Sequence, residues 1–306
     1  HLASGIYLEN VTVGTRPLQI LGNSPQPILA GKIENMLVTE LWIRNIEVRG
    51  ARGFGILQHG GALHLADMSV TATQIVPRNV ASGAGILLEG GARGNFQLIR
   101  LAQNFGQALV VTGSGTQAKV SGSSFQANQA NPLATSQLLA NDGRYVATID
   151  VRDGGYLSMT QSIVEDAEGY GVAINHDSKA FFDHLTVTNT KELDFGHGPF
   201  SVNVLVSSHS DLELQNFKIE HATVGVIVSD AFFTALDGNV SFNTIGLGFL
   251  GNAGRVENPD YNEGNCIARL TVSNNETNYS FVDFLPLPSL DPVTPPVAYC
   301  HRVAPL

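Results

Sequence analysis

Three residues in this sequence could together carry out acid–base chemistry: Asp142, Asp194 and His197. Glycoside hydrolysis requires two carboxyl groups, about 5.5 Å apart for retention and about 6.5–9.5 Å apart for inversion. Asp142 and Asp194 lie in neighbouring insertions of a repeated pattern, which allows such a separation. We therefore take these three side chains as candidate catalytic residues for the cleavage of a sugar polymer.

The insertions of this pattern also contain cations and aromatic rings suited to binding such a polymer. The candidate binding residues are Arg78, Arg144, Tyr145 and Phe195. The chain has no nucleophile elbow of Gly-x-Ser-x-Gly type, no phosphate-binding loop and no His-Glu-x-x-His motif. The sequence thus contains no complete catalytic set, and any site depends on how the insertions are positioned.

The insertions interrupt an internal repeat of short strand-like segments. Its pattern is apolar, any, apolar, two bend residues, apolar, any, apolar, and the nine copies begin at Ile6, Leu41, Leu63, Phe96, Ala118, Leu157, Ala180, Leu212 and Ala235. The alternation within each half predicts strands with one face inward. A further short strand precedes many copies, as at Gly55-Ile56. With three strands per repeat and no sustained helical periodicity, the sequence predicts an all-β parallel solenoid of about nine to ten coils.

The distance between successive copies alternates between long and short, at 35, 22, 33, 22, 39, 23, 32 and 23 residues. The surplus residues fall at about 14–31, 71–84, 126–147 and 188–202. Stacked strands lie about 4.8 Å apart, so insertions on alternate coils would emerge about 9.6 Å apart on one flank. Such a row of loops is often a binding face. The alternative is that the loops cover the flank, because they contain apolar residues such as Leu18, Ile20 and Leu21.

The register of the motif predicts both the core and the bends. The side chains expected inside the coil include Phe96, Phe125, Phe182 and Phe217. A sharp bend between strands requires residues that tolerate positive φ. Such residues occupy the second bend position at Asn10, Asn45, Asp67, Gly122 and Asn216. His184 holds the same position, so we predict that it is a bend residue rather than a catalyst.

The repeat is clearest in two segments, residues 85–91, Gly-Ile-Leu-Leu-Glu-Gly-Gly, and residues 170–174, Tyr-Gly-Val-Ala-Ile. In the composition and spacing of this repeat, the chain resembles the right-handed parallel β-helix proteins of exported bacterial type, the superfamily that includes pectin-degrading enzymes. The resemblance covers residues 1 to about 250 and implies a right-handed, single-stranded, pectin-lyase-like β-helix. Residues 196–198, Gly-His-Gly, are similar to a polygalacturonase motif. That family's companion motifs are missing, and Lys191 stands where its Asn-Thr-Asp triplet has aspartate.

Lyases of this superfamily bind calcium through acidic residues, so the resemblance leaves calcium open as a cofactor and implies no other. Calcium requires several oxygen ligands. The nearest acidic cluster is Glu165, Asp166 and Glu168, which we predict to lie at a solvated bend. We therefore assign no residue as a metal ligand.

Composition excludes two classes of partner. The 306-residue chain has a net charge of −10, which disfavours nucleic acid. No apolar run approaches the roughly 18 residues of a transmembrane segment. The partner that we expect on the loop flank is a polysaccharide or a cell-surface glycan.

The two cysteines, Cys266 and Cys300, are either unrelated buried thiols or, as we predict, a disulfide. This disulfide would staple a C-terminal cap at 251–306 onto a β-helix at 1–250. Disulfides persist outside the reducing cytosol, which predicts an extracellular, cell-surface or periplasmic location.

The first coil is incomplete, so we expect either that further residues precede it or that a second subunit stacks on that end. The chain would then be a monomer or an end-stacked oligomer.

Two functional hypotheses fit these features. The first is a non-enzymatic exported solenoid that acts as a surface or extracellular structural, adhesive or binding protein. The second is a polysaccharide lyase, a glycoside hydrolase or a carbohydrate binder that uses the loop flank. The missing catalytic set favours the first.

Overall fold

The computed structural model describes residues 1–37, 39–76, 83–131, 146–194, 198–250 and 266–282, which form strands and connections and contain no helix. The strands are β1 (Ile6–Tyr7), β2 (Val11–Thr12), β3 (Leu18–Leu21), β4 (Ile28–Leu29), β5 (Ile33–Asn35), β6 (Glu40–Arg44), β7 (Glu47–Arg49), β8 (Phe54–His59), β9 (Ala62–Ala66), β10 (Ser69–Thr71), β11 (Ala84–Glu89), β12 (Arg93–Gln97), β13 (Arg100–Ala102), β14 (Leu109–Thr112) and β15 (Gln117–Ser121). They continue with β16 (Ser124–Gln126), β17 (Ala147–Arg152), β18 (Tyr156–Glu165), β19 (Tyr170–Ile174), β20 (Lys179–Thr188), β21 (Leu193–Asp194), β22 (Pro199–Phe200), β23 (Val202–Ser207), β24 (Asp211–Gln215), β25 (Lys218–Glu220), β26 (Val224–Ser229), β27 (Phe232–Ser241), β28 (Ile245–Leu250), β29 (Cys266–Ser273) and β30 (Thr277–Val282).

Apart from the antiparallel hairpin β21–β22, these strands stack in parallel as three ladders. Ladder A contains β3, β6, β9, β12, β15, β24 and the first halves of β18, β20, β27 and β29. Ladder B contains β1, β4, β7, β10, β13, β16, β25 and the second halves of the same four strands. Together they make a 17-stranded sheet, and ladder C is an 11-stranded sheet of β2, β5, β8, β11, β14, β17, β19, β23, β26, β28 and β30. The chain visits A, B and C in turn, which is the arrangement of a parallel β-solenoid, as the repeat predicts.

The core lies between the three ladders and consists of the apolar positions of the repeat. The predicted interior rings are confirmed, because Phe96, Phe125 and Phe182 are 0 % exposed and Phe217 is 3 % exposed. Strands of successive turns pair residue for residue, so each inward side chain stacks on its counterpart. Gly55 marks a close approach, since a Cβ there would lie 2.6 Å from the carbonyl oxygen of Gly85.

The predicted register was wrong in the copy at Phe96. Phe96 pairs with Leu65, so it is the second inward residue of its strand rather than the first. Leu98, which was expected inside, is 62 % exposed and adopts a φ of 53°. Because Leu98 is apolar, the sequence alone does not distinguish this bend position from an inward position. The inward residues that follow the bend are Ile99 and Leu101.

The first motif copy and the insertion at 14–31 were also predicted wrongly. Ile6 and Leu8 are 65 % and 83 % exposed. Residues of the expected insertion form β3 and β4, which pair in parallel with β6 and β7. A further turn of the chain therefore stands where a loop was expected, and its apolar residues are strand residues.

The sheets extend beyond the predicted boundary near residue 250. β29 pairs with β27, and β30 pairs with β28, in the same parallel register as the preceding turns. Part of the segment expected to form a cap thus continues the solenoid. The side chains of the predicted Cys266–Cys300 disulfide lie outside the described part of the chain.

Left-handed residues form the bends. Asn45, Asp67, Gly122, His184 and Asn216 have φ between 50° and 57° at the bend from ladder A to ladder B, as predicted. Asn10 lies between ladders B and C instead, where its Oδ1 accepts a hydrogen bond from the Lys32 N–H at 3.0 Å.

Buried asparagines fix the bend from ladder B to ladder C. The backbone N–H and the Nδ2 of Asn104 donate to Oδ1 of Asn128 one turn later, at 3.1 Å and 3.0 Å. Asn104 Nδ2 also lies 3.3 Å from the carbonyl oxygen of Val70, to which it donates. These amides satisfy backbone groups that a bend would otherwise leave unpaired.

Candidate functional site

Most of the candidate residues named from the sequence lie outside the described part of the chain: Asp142, His197, Arg78, Arg144, Tyr145 and Phe195. Asp194 is described and ends β21. Its Oδ1 accepts a hydrogen bond from the Gly198 N–H at 3.3 Å. This contact lies within the β21–β22 hairpin.

Three of the four predicted insertions connect ladder B to ladder C: β10 to β11, β16 to β17 and β20 to β23. Their described residues Ala130, Leu193 and Phe200 pack against a cluster on the outer face of ladder C. Two members of that cluster, Leu205 and Ile227, are 3 % and 8 % exposed. In their described part, the insertions from β16 to β17 and from β20 to β23 therefore cover the flank.

A charged pair interrupts this apolar face. Asp150 is in register with Val110 and Ala173 and is 0 % exposed. Arg152 Nη1 donates to Asp150 Oδ2 at 2.6 Å, and Gln107 Nε2 donates to the same oxygen at 3.1 Å. A buried carboxylate is tolerated when it is paired and hydrogen-bonded in this way.

The acidic cluster considered for calcium is divided among separate partners. Glu165 Oε1 accepts from Gln126 Nε2 at 2.5 Å, and Glu168 Oε2 accepts from the Ala130 N–H at 3.0 Å. Asp166 is a bend residue with a φ of 54°. Within the described ranges, no three His, Cys, Asp or Glu side chains are grouped closely enough to hold a metal ion.

The outer face of ladder A presents a different surface. Gln19, Trp42, His64 and Asn95 form one outward row on four successive strands, paired in register. The rings of Trp42 and His64 stack with centroids 5.1 Å apart and planes inclined by 10°. We call these two residues the face pair.

The face pair lines a shallow depression with a volume of about 170 Å³. Its lining comprises Gln19, Leu21, Trp42, Ile43, Arg44, His64, Leu65, Ala66, Asn95 and Gln97. Arg44 is held at the rim, because its Nε donates to Asp67 Oδ2 at 3.0 Å. The depression combines the surface of two stacked aromatic rings with amide groups on both sides, which suits a ligand that has apolar C–H groups and hydroxyl edges.

Further along the same face, the polar groups bond to one another. Burial raises the pKa of the Tyr156 hydroxyl, a hydrogen bond with Ser158 opposes this shift, and the nearby Glu213 carboxylate adds to it. Glu213 is 5 % exposed and accepts from Gln215 Nε2 at 2.5 Å. This part of the face is more closed than the depression.

Sequence reasoning missed the face pair, although the repeat contained the signal. Trp42 and His64 occupy the outward position between the first two apolar residues of consecutive motif copies, 22 residues apart. Equal positions in consecutive copies stack in a solenoid, so the register alone predicts that the two rings meet. Both residues lie outside the insertions that contain the candidate residues predicted from the sequence.

No protein-family model, curated protein or solved structure shows a significant match to this chain. Within the residues that the structure describes, no helix is long and apolar enough to cross a membrane.

Proposed function

We propose that this chain is an exported β-solenoid that binds a polysaccharide or a cell-surface glycan on the outer face of ladder A. The observation that carries the proposal is the stacked Trp42–His64 pair, flanked in register by the amides of Gln19 and Asn95. A structural or adhesive protein at a cell surface would use such a contact to attach to a glycan.

The chemistry of a sugar ring fits this arrangement. The face of an aromatic ring is electron-rich, and the C–H groups on one side of a pyranose present weakly positive hydrogens to it. The hydroxyls at the edge of the sugar need both donors and acceptors, which a carboxamide supplies together. Binding sites usually combine apolar surface with a few placed polar groups in this way.

The same proposal includes a right-handed helix and a C-terminal disulfide. The resemblance of the repeat supports a right-handed, pectin-lyase-like helix, and parallel strands of one sheet are connected with right-handed chirality in about 98 % of crossovers. A Cys266–Cys300 disulfide would support an extracellular, cell-surface or periplasmic location. We propose binding without cleavage, because the sequence contains no complete catalytic set.

The test is affinity electrophoresis through gels that contain neutral and acidic polysaccharides. We expect at least one polysaccharide to retard the wild-type chain, and Trp42→Ala to weaken this binding at least tenfold, about 1.4 kcal/mol. Phe181→Ala is the matched control, since Phe181 faces outward in the same row on β20. Its binding should equal that of the wild type.

Two results would contradict the proposal. Equal losses of affinity in Trp42→Ala and Phe181→Ala would show that the face pair has no special role. If no polysaccharide retards the wild-type chain, the proposed ligand class is wrong. The same mixtures should be assayed for reducing ends and unsaturated products. Product release would assign an enzyme instead of a binding protein.

A further inference from the structure

A second stacked aromatic pair lies at the bend from ladder B to ladder C. His221 and Phe242 directly follow β25 and β27, and their rings stack with centroids 5.4 Å apart and planes inclined by 13°. Phe242 is 52 % exposed, and the side chain of His221 is 51 % exposed. We call these residues the corner pair. It is far along the chain from the face pair and belongs to another surface.

The surroundings of the corner pair repeat those of the face pair. Because β20, β25, β27 and β29 are in register in ladder B, the residues that follow them stand in one column. That column reads Asn189, His221, Phe242 and Asn274, and all four residues are exposed. In both places an imidazole stacks on a larger aromatic ring, and an amide side chain stands on either side.

The backbone at the corner pair makes this choice of residues costly. His221 and Phe242 have φ of 60° and 59°, in the left-handed region. Bulky side chains are disfavoured there, whereas asparagine and glycine are tolerated. The left-handed conformation itself is usual at the bends of this solenoid, where Ala72, Leu98 and Gln103 adopt it too. What sets Phe242 apart is that its exposed ring stacks on a second exposed ring.

We propose that the corner pair is a second carbohydrate-contact site, so that one chain holds a glycan at two separate places. The ligand class rests on the proposed function, since the corner pair is assigned its ligand by likeness to the face pair. When both sites engage one polymer, the second contact forms intramolecularly and raises the overall affinity without new contacts. The protein should therefore bind a long polysaccharide much more tightly than a short fragment of it.

The test uses the polysaccharide that retards the wild-type chain most strongly and a hexasaccharide cut from it, both measured by calorimetry. Phe242→Asn removes the ring and places a suitable residue in the left-handed conformation. We expect it to keep or raise the thermal midpoint, to reduce the hexasaccharide sites from two per chain to one, and to weaken polysaccharide binding at least tenfold. Phe242→Leu keeps an apolar side chain and should lose the same site.

Leu98→Asn is the matched control. Leu98 is 62 % exposed with a φ of 53°, at the other bend, and it carries no ring. Its substitution should change neither stoichiometry nor affinity. If the Phe242 variants bind like the wild type while Trp42→Ala abolishes binding, the second site is wrong and the proposed function stands. If the Phe242 variants abolish binding while Trp42→Ala does not, the face pair is wrong and the corner site stands.

Discussion

The outer faces of ladders A and C belong to the same turns of the chain, yet they present opposite chemistry. On ladder C, Leu57, Leu87 and Leu205 point away from the core and are still only 5 %, 9 % and 3 % exposed. They form clusters separate from the main core. On ladder A, outward residues such as Asn95 and Lys119 are exposed.

The difference shows what decides whether a solenoid face is covered or free to bind. An apolar outward row must be buried, because large exposed apolar patches promote association. The connections between ladders B and C supply that cover through residues such as Leu193 and Phe200. An outward row of polar and aromatic residues has no such need, so this row of ladder A can stay accessible to a ligand.

The largest expected effect comes from placing one charge on each face. Leu205→Asp would bury a carboxylate in the covered cluster of ladder C and should lower the free energy of unfolding by about 3–5 kcal/mol. Leu236→Asp makes the same change at a partly exposed outward position of ladder A. It should cost about 1 kcal/mol or less. Urea denaturation measures both, and equal losses would contradict the distinction between the faces.

A smaller effect should separate the two kinds of asparagine. Asn104→Ala removes an amide that is 0 % exposed and leaves the backbone groups it serves without partners. We expect a loss of about 2 kcal/mol. Asn95→Ala removes an exposed amide from ladder A and should change stability by less than about 0.5 kcal/mol. The thermal midpoints of the two variants check this order, and the reverse order would refute it.

The smallest expected effect concerns the closed part of ladder A. Because burial raises the pKa of Tyr156, its ionisation should occur above the ordinary value of about 10. The unfolded chain ionises first, so this residue's contribution to stability should be lost as the pH rises from about 10 through the folded pKa. The ultraviolet difference titration of wild type and Tyr156→Phe measures the shift. Glu213→Gln should lower the Tyr156 pKa, and an unshifted Tyr156 would contradict its burial.

The repeat predicted the fold class, the three strands per turn and the interior aromatic stack, because strict alternation leaves few other arrangements. It misplaced the copy at Phe96, since Leu98 is apolar at a bend. It also missed the turn formed by β3 and β4, because their short strands fall outside the motif. In the described part of the chain, ladder C has 11 strands against nine motif copies.

The candidate site was harder to predict than the fold. Periodicity shows that Trp42 points outward, but it does not show whether an outward face is covered. That depends on where the connections between ladders B and C pack, which no local pattern encodes. Asp194 illustrates the difficulty, because the sequence does not distinguish an aspartate that accepts a hydrogen bond within a hairpin from one that takes part in a reaction.

The most direct test of the central claim uses Trp42 itself, which is the only tryptophan in the chain. Its emission reports on the face pair without labels or substitutions. Titration with a polysaccharide that retards the protein should produce a saturable change in emission intensity and wavelength, with the half-saturation found by electrophoresis. Binding by electrophoresis without any change in tryptophan emission would show that the glycan binds elsewhere and would contradict the assignment of ladder A.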